Sequence, residues 1–243
     1  MDNNVLDSDN YYEEIYSTEM SSRYKNEGDI GIYYRLPKFI ELFYINFPSI
    51  DSLKLLEIGS GLGEIYDLIR EKYNGQDFSF TLTEYSKSAV QHMKNKYGNS
   101  VDVFEADACN LPFSDEEFDI VCSFDVMHHV SDPQKMAKEI LRVSKNAFFL
   151  CEANGLSIIR KIGEKSSEAK KLGEKSYFPW EYKKFFTKNE ASCVNVLPFY
   201  FFVPPKIKKD KMKPFITISE IGQRVPLVKW QSQSLAIYGA KYQ

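Results

Sequence analysis

Short apolar segments alternate with segments of helical periodicity from Leu53 to Cys151. This alternation is typical of a parallel β-sheet whose strands are joined by crossover helices. Five strands are predicted in this region, and two more follow at residues 192–197 and 234–239. The five are Lys54–Ile58, Phe78–Thr83, Val101–Ala106, Asp119–Phe124 and Ala147–Cys151.

Helix boundary signals lie between these strands. Ser86 can cap a helix that runs to Tyr97 and ends at Gly98. Asp132 is followed by Pro133, the usual order of an N-cap and a first helical residue. Because the helix boundaries agree with the strand boundaries, this region is predicted to be a continuous α/β unit.

The chain is less regular after Cys151. A helix is predicted at residues 179–186, and residues 198–233 separate the last two strands. This separating segment is too long for a hairpin loop and contains five prolines. We therefore expect it to form an insertion that consists of a loop and one short helix.

Length and composition restrict the class of protein. The chain has 243 residues, enough for one α/β domain, or for a domain of about 150 residues with an elaborated end. Aromatic residues make up 15% of it, too many for a disordered chain. No apolar run approaches the roughly 18 residues that cross a bilayer. We expect a globular protein with no transmembrane segment.

Charge and cysteine content indicate which partners and compartment to expect. A formal charge of -3 and a pI near 5.8 give no general attraction to polyphosphate, so no nucleic-acid partner is expected. The N-terminus is acidic and polar where a secretory signal would be basic and then apolar. The four cysteines form no C-x-x-C pair. These features predict a reducing, cytoplasmic setting.

Charge is distributed unevenly along the chain. Residues 1–30 hold eight acidic and two basic side chains, whereas residues 155–213 hold 14 basic and six acidic ones. The basic stretch is interpreted as a solvated loop or, alternatively, as a site for an anionic substrate or surface.

A glycine-rich turn follows the first predicted strand and precedes a helix. Gly59, Gly61 and Gly63 permit positive φ and let a ligand approach the main chain at a helix N-terminus. The third glycine comes one position earlier than in the dinucleotide fingerprint G-x-G-x-x-G. No Lys or Arg occurs from Leu55 to Ile69. The turn therefore suits a ligand without phosphates.

The pattern Glu57-x-Gly59-x-Gly61-x-Gly63 resembles the first motif of class I S-adenosylmethionine-dependent methyltransferases, of the small-molecule, methyltransferase domain 11-like type. Further segments resemble the family up to residue 151. They include residues 111–121, which lead into the fourth strand, and residues 123–130, which line both cofactor and acceptor in the family.

The resemblance implies a role for residues at several strand ends. Glu84 ends the second strand, 21 residues after Gly63, and would accept hydrogen bonds from both ribose hydroxyls of the cofactor. Asp107 would accept the adenine amino group, and the N–H of Ala108 would meet the ring. The predicted cofactor-binding residues are Glu57, Gly59, Gly61, Gly63, Glu84, Tyr85, Asp107, Ala108, Phe124 and Asp125.

The resemblance also implies a fold and a reaction. The expected fold is α/β, a three-layer Rossmann-like sandwich with a seven-stranded, mostly parallel sheet, an antiparallel last strand and helices on both faces. The expected reaction is methyl transfer from S-adenosyl-L-methionine to a hydroxyl or amine of a small or medium-sized acceptor by in-line displacement. The product would be S-adenosyl-L-homocysteine, and no metal is expected. The oligomeric state is not predicted.

Two adjacent histidines follow the fourth strand, at the edge where open parallel sheets bind ligands. His129 aligns with a histidine that small-molecule methyltransferases often carry, so it is a candidate base, and His128 is the second candidate. Adjacent residues point in different directions, so at most one is expected to face the acceptor. The other would cap the next helix or bind the backbone.

Residues 1–50 precede the sheet and are predicted to form a helical lid, with residues 51–243 forming the cofactor-binding domain and its insertion at 198–233. The candidate acceptor-binding residues are Tyr11, Tyr12 and Tyr16. Ordinary packing explains most of the N-terminal tyrosines equally well. The aromatic residues 199–202 are interpreted as a wall of the site or as an edge of the core.

Two alternatives to a small-molecule methyltransferase stay open. One is a catalytically idle, cofactor-binding partner subunit, and the other is a nicotinamide-dependent oxidoreductase on a related fold. A nucleobase amino-methyltransferase is disfavoured because Asp125 is followed by Val126 and Met127 rather than by Pro-Pro-aromatic.

Overall fold

The computed structural model describes residues 34–166, 175–201 and 211–241. Within these ranges the strands form one seven-stranded sheet. The strands are β1 Lys54–Ile58, β2 Ser79–Glu84, β3 Asp102–Glu105, β4 Phe118–Phe124, β5 Ser144–Ala153, β6 Ala191–Tyr200 and β7 Ser234–Lys241. The helices are α1 Leu36–Asn46, α2 Glu64–Lys72, α3 Lys87–Tyr97, α4 Pro133–Val143, α5 Ile158–Gly163, α6 Pro179–Thr187 and α7 Lys213–Arg224.

The strand order in the sheet is β3-β2-β1-β4-β5-β7-β6. Strands β1 to β5 pair in parallel, and β7 runs antiparallel to both β5 and β6. The predicted fold class, including the antiparallel last strand, is confirmed. The order reverses between β1 and β4, and ligands of open α/β sheets bind beyond the carboxyl ends of the strands at such a reversal.

Apolar side chains cover the sheet on both faces. On one face the Phe39 and Phe43 rings of α1 lie 5.1 and 5.5 Å from the ring of Phe149 in β5. On the other face the Phe186 ring of α6 stacks at 4.3 Å on Phe148. Because successive residues of a strand point to opposite faces, these two neighbouring phenylalanines anchor both helical layers.

The predicted helix caps are confirmed. The Ser86 hydroxyl accepts a hydrogen bond from the backbone N–H of Ala89 at the start of α3. The Asp132 carboxylate accepts one from the backbone N–H of Lys135 at the start of α4. Since Asp132 caps α4, neither His128 nor His129 has that role.

The insertion is more regular than expected. Strand β6 continues through Pro198 to Tyr200, and α7 has 12 residues, whereas one short helix was expected. Proline is compatible with β6 because this strand lies at the sheet edge. Pro214 lies in the first turn of α7, where its missing N–H costs no helical hydrogen bond. Among the described residues, no helix is long and apolar enough to span a bilayer.

Candidate active site

The turn between β1 and α2 has a left-handed backbone at each of its three glycines, with φ of +68° at Gly59, +56° at Gly61 and +85° at Gly63. A Cβ on Gly59 would clash with Cγ2 of Val126, and one on Gly63 would clash with the Tyr97 hydroxyl. The protein's own packing therefore requires the outer two glycines. The sequence pattern indicates ligand approach and does not reveal this second reason for the glycines.

Glu84 at the end of β2 is held against the glycine turn. Its Oε2 accepts the backbone N–H of Gly61 at 2.9 Å, and its Oε1 accepts those of Tyr85 at 2.8 Å and Ser86 at 3.3 Å. Burial raises the pKa of Glu84, and these three N–H groups lower it in part. The carboxylate is thus fixed at the carboxyl edge of the sheet, at the position the resemblance implies.

Glu57 lies beneath the same turn and is only 1% exposed. Its Oε2 has no hydrogen-bond partner in the described part of the chain. Burial raises the pKa of Glu57 well above its usual value, and the negative charges of Glu64, Glu84 and Asp67 raise it further. A cationic ligand at this turn would favour ionised Glu57 and offset the repulsion among these carboxylates.

The third strand end carries the two predicted adenine contacts. Asp107 is exposed and Ala108 is buried in a turn just after β3. The Asp107 Oδ1 accepts the backbone N–H of Cys109 at 2.8 Å, and its carbonyl accepts that of Asn110. The two residues therefore lie at the same sheet edge as Glu84, because β3 pairs with β2 in parallel.

Arg35 adds a charged group that the sequence did not indicate. Its guanidinium forms an ion pair with Asp125, and its Cζ lies 4.6 Å from the centroid of the Phe124 ring. Asp125 has a left-handed backbone with φ of +58°. Arg35 Nε and Asp125 Oδ1 are buried without hydrogen-bond partners among the described residues. One donor and one acceptor thus remain unused beside the end of β4.

The two histidines lie side by side rather than pointing apart, so the expectation of divergent side chains is wrong. Their ring centroids are 4.0 Å apart, because residues 127–129 form a turn in which neighbouring side chains do not alternate. The His128 ring is buried, with Nδ1 2.8 Å from Glu152 Oε2. Burial, together with the charges of His128 and Arg160, lowers the pKa of His129 to about 2. Its ring is therefore neutral at physiological pH.

Some candidates lie outside the described residues. These are Tyr11, Tyr12 and Tyr16, so the lid and its contact with an acceptor stay predictions. Among the described residues, no group of three or more His, Cys, Asp or Glu side chains is arranged to hold a metal ion.

Comparison with known sequences identifies part of the chain. Residues 56–150 match the family model described as "Methyltransferase domain". Norajmaline N-methyltransferase of Rauvolfia serpentina is 30% identical over 99 residues, which are 40% of this chain and 34% of that protein. The chloroplastic tocopherol O-methyltransferase of Arabidopsis thaliana is 28% identical over 134 residues, 53% of this chain and 34% of that protein. The chain thus spans about a third of the length of these relatives.

Comparison with solved structures concerns the fold of the whole chain. A possible histamine N-methyltransferase from Thermotoga maritima has a TM-score of 0.68 at 15% identity and covers 96% of this chain and 99% of its own. The putative methyltransferase structure with the Haloferax volcanii Trm112 activator has a TM-score of 0.69 at 13% identity, with coverage of 96% and 98%. Residues 56–150 thus match a methyltransferase domain, and the chain shares the fold of these solved structures.

Proposed function

We propose that this protein binds S-adenosyl-L-methionine at the carboxyl edge of β1 and β2 and transfers its methyl group to a small or medium-sized acceptor. The observation that carries the proposal is the Glu84 carboxylate, which is fixed to the N–H of Gly61. A carboxylate has two acceptor oxygens with several lone pairs, so Glu84 can keep its backbone bonds and still accept hydroxyls of a ribose.

The charges of the site suit this cofactor. S-adenosyl-L-methionine carries an ammonium, a carboxylate and a sulfonium, so its net charge is positive, and it has no phosphate. Buried Glu57 has one oxygen without a partner, and Glu64, Asp67 and Glu84 add negative charge around it. A diphosphate would be repelled by the same carboxylates, so the charges do not favour a nicotinamide dinucleotide.

When bound, the cofactor supplies a methyl group on positively charged sulfur. The protein's part is to align the acceptor with that methyl and to exclude water. His129 would accept a proton from a hydroxyl acceptor, because its ring is neutral and lies just beyond β4. The positive charge that leaves sulfur would then reappear on the imidazole, so the net charge of the site would not change. A neutral amine needs less help from a base.

Calorimetry with the full chain tests the cofactor proposal. We expect S-adenosyl-L-methionine and S-adenosyl-L-homocysteine to bind with dissociation constants in the micromolar range, roughly 1–100 μM. NAD should give no heat of binding. Binding of NAD without binding of S-adenosyl-L-methionine would overturn the proposal. Methyl transfer from labelled donor to any member of a panel of phenols, alcohols and amines would then exclude an idle partner subunit.

Glu84→Gln should weaken S-adenosyl-L-methionine binding by about 10- to 100-fold. An amide side chain has only one acceptor oxygen, whereas the backbone N–H groups and the ribose hydroxyls together require two. Isothermal titration measures the change. Glu105→Gln is the matched control, because Glu105 is an exposed acid that pairs with Glu84 in the register of β2 and β3. Equal affinity of the two variants would show that Glu84 does not contact the ligand.

A further inference from the structure

Glu152 is an unusual residue for its place in the fold. It is the penultimate residue of β5, in the middle of the sheet, and is 0% exposed. Acidic side chains are almost never fully buried unless they are paired. No sequence pattern singles out Glu152, since it lies in an apolar strand and outside the segments that resemble the family's site.

The partners of Glu152 are three consecutive residues of the turn after β4. Its Oε1 accepts the backbone N–H of Val126 at 3.1 Å and that of Met127 at 2.7 Å. Its Oε2 lies 2.8 Å from Nδ1 of His128. The backbone ladder between the two strands ends just before this turn, with the N–H of Asp125 donating to the carbonyl of Cys151. Beyond the last backbone hydrogen bond between the two strands, the Glu152 side chain therefore holds the next three residues of the turn.

These contacts select one tautomer of His128. Both backbone groups can only donate, so Oε1 is an acceptor. An ionised Oε2 can likewise only accept, which requires the His128 proton on Nδ1 and leaves Nε2 unprotonated. Burial raises the pKa of Glu152 to about 7, although the N–H groups of the turn lower it, so the carboxylate form dominates at pH 8.

We infer that Glu152 is a positioning residue, which fixes the turn bearing His128 and His129 and holds His128 as its Nδ1-protonated tautomer. The inference rests on the proposed function only in assigning this turn to methyl transfer. The buried carboxylate contacts the His128 ring, which in turn lies against the ring of His129. The role acts through His128 and through the backbone, and does not require contact with the acceptor.

The test is the protonation of the His128 ring nitrogens, measured by ¹⁵N NMR of the full chain at pH 8. In the unmodified protein, His128 should carry its proton on Nδ1. In Glu152→Gln, the amide oxygen keeps the two backbone donors and the amide NH₂ faces Nδ1, so the proton should move to Nε2. His92, on α3, is the internal control and should keep the same spectrum.

A His128 proton on Nε2 in the unmodified protein would overturn the inference, and this measurement needs no variant. A proton that stays on Nδ1 in Glu152→Gln would overturn it as well. Turnover of Glu152→Gln should fall by about 10- to 100-fold, with the affinity for S-adenosyl-L-methionine changed less than about threefold. Unchanged turnover with an inverted tautomer would refute the positioning role. Failure of the unmodified protein to bind the cofactor would instead refute the proposed function and leave the tautomer result intact.

Discussion

Gly61→Val should reduce the affinity for S-adenosyl-L-methionine by at least about 100-fold, which corresponds to about 2.8 kcal/mol. Gly61 has φ of +56°, and its N–H donates to Glu84, so its backbone lies directly beside the proposed ribose site. A β-branched side chain at positive φ is strained, and its methyl groups would occupy the turn on which the cofactor is proposed to rest. Isothermal titration measures the loss of binding.

Gly75→Val is the control variant that separates loss of cofactor binding from loss of stability. Gly75 has φ of +88°, and a Cβ there would meet nothing within 4 Å. Valine at this position therefore introduces comparable backbone strain away from the site. Both variants should melt at a lower temperature than the unmodified protein, by an amount equivalent to roughly 1–2 kcal/mol. Only Gly61→Val should lose cofactor binding, and an equal loss in Gly75→Val would refute the placement of the site at the glycine turn.

The sheet was predictable because its signals are local. Parallel strands that are buried on both faces have short apolar sequences. The predicted bounds of β1 and β4 agree with the observed bounds to within one residue. Ser86 and Asp132 cap their helices through backbone groups three residues away, so the caps too depend on short-range sequence. The strand ends of an α/β fold then place Glu57 and Glu84 together at the edge beside the glycine turn.

Other parts of the site depend on contacts between distant residues. Arg35 meets Asp125 across 90 positions of sequence, and Glu152 meets His128 across 24. No periodicity or motif encodes such pairs, since they are set by how α1 and β5 pack against the end of β4. The expectation that the two histidine side chains point apart is wrong for a related reason. It assumes that side chains alternate past Phe124 as they do in a strand, but the backbone has already turned at Asp125 with φ of +58°.

The proposed base also has to be neutral before the reaction and able to hold a proton as it ends. The low pKa of His129, about 2, satisfies the first condition, because burial excludes a charge on the free ring. The second condition has to be met only during transfer. The same low pKa makes the imidazolium short-lived, so the ring would pass the proton on to water once the acceptor has gained its methyl group.

His129→Ala should therefore lower turnover of a hydroxyl acceptor by about 10²- to 10⁴-fold, the range for loss of a general base. The dissociation constant of S-adenosyl-L-methionine should change less than about threefold, because the glycine turn and Glu84, on which the cofactor proposal rests, lie at the ends of β1 and β2. His92→Ala is the matched control, since it makes the same chemical change on α3, away from the ends of β4 and β5. Steady-state rates with labelled donor measure turnover, and calorimetry measures affinity. If His129→Ala turned over a hydroxyl acceptor as fast as His92→Ala, the ring would not act as a base. If only amines were accepted by the unmodified protein, alignment without proton removal would be sufficient for this site.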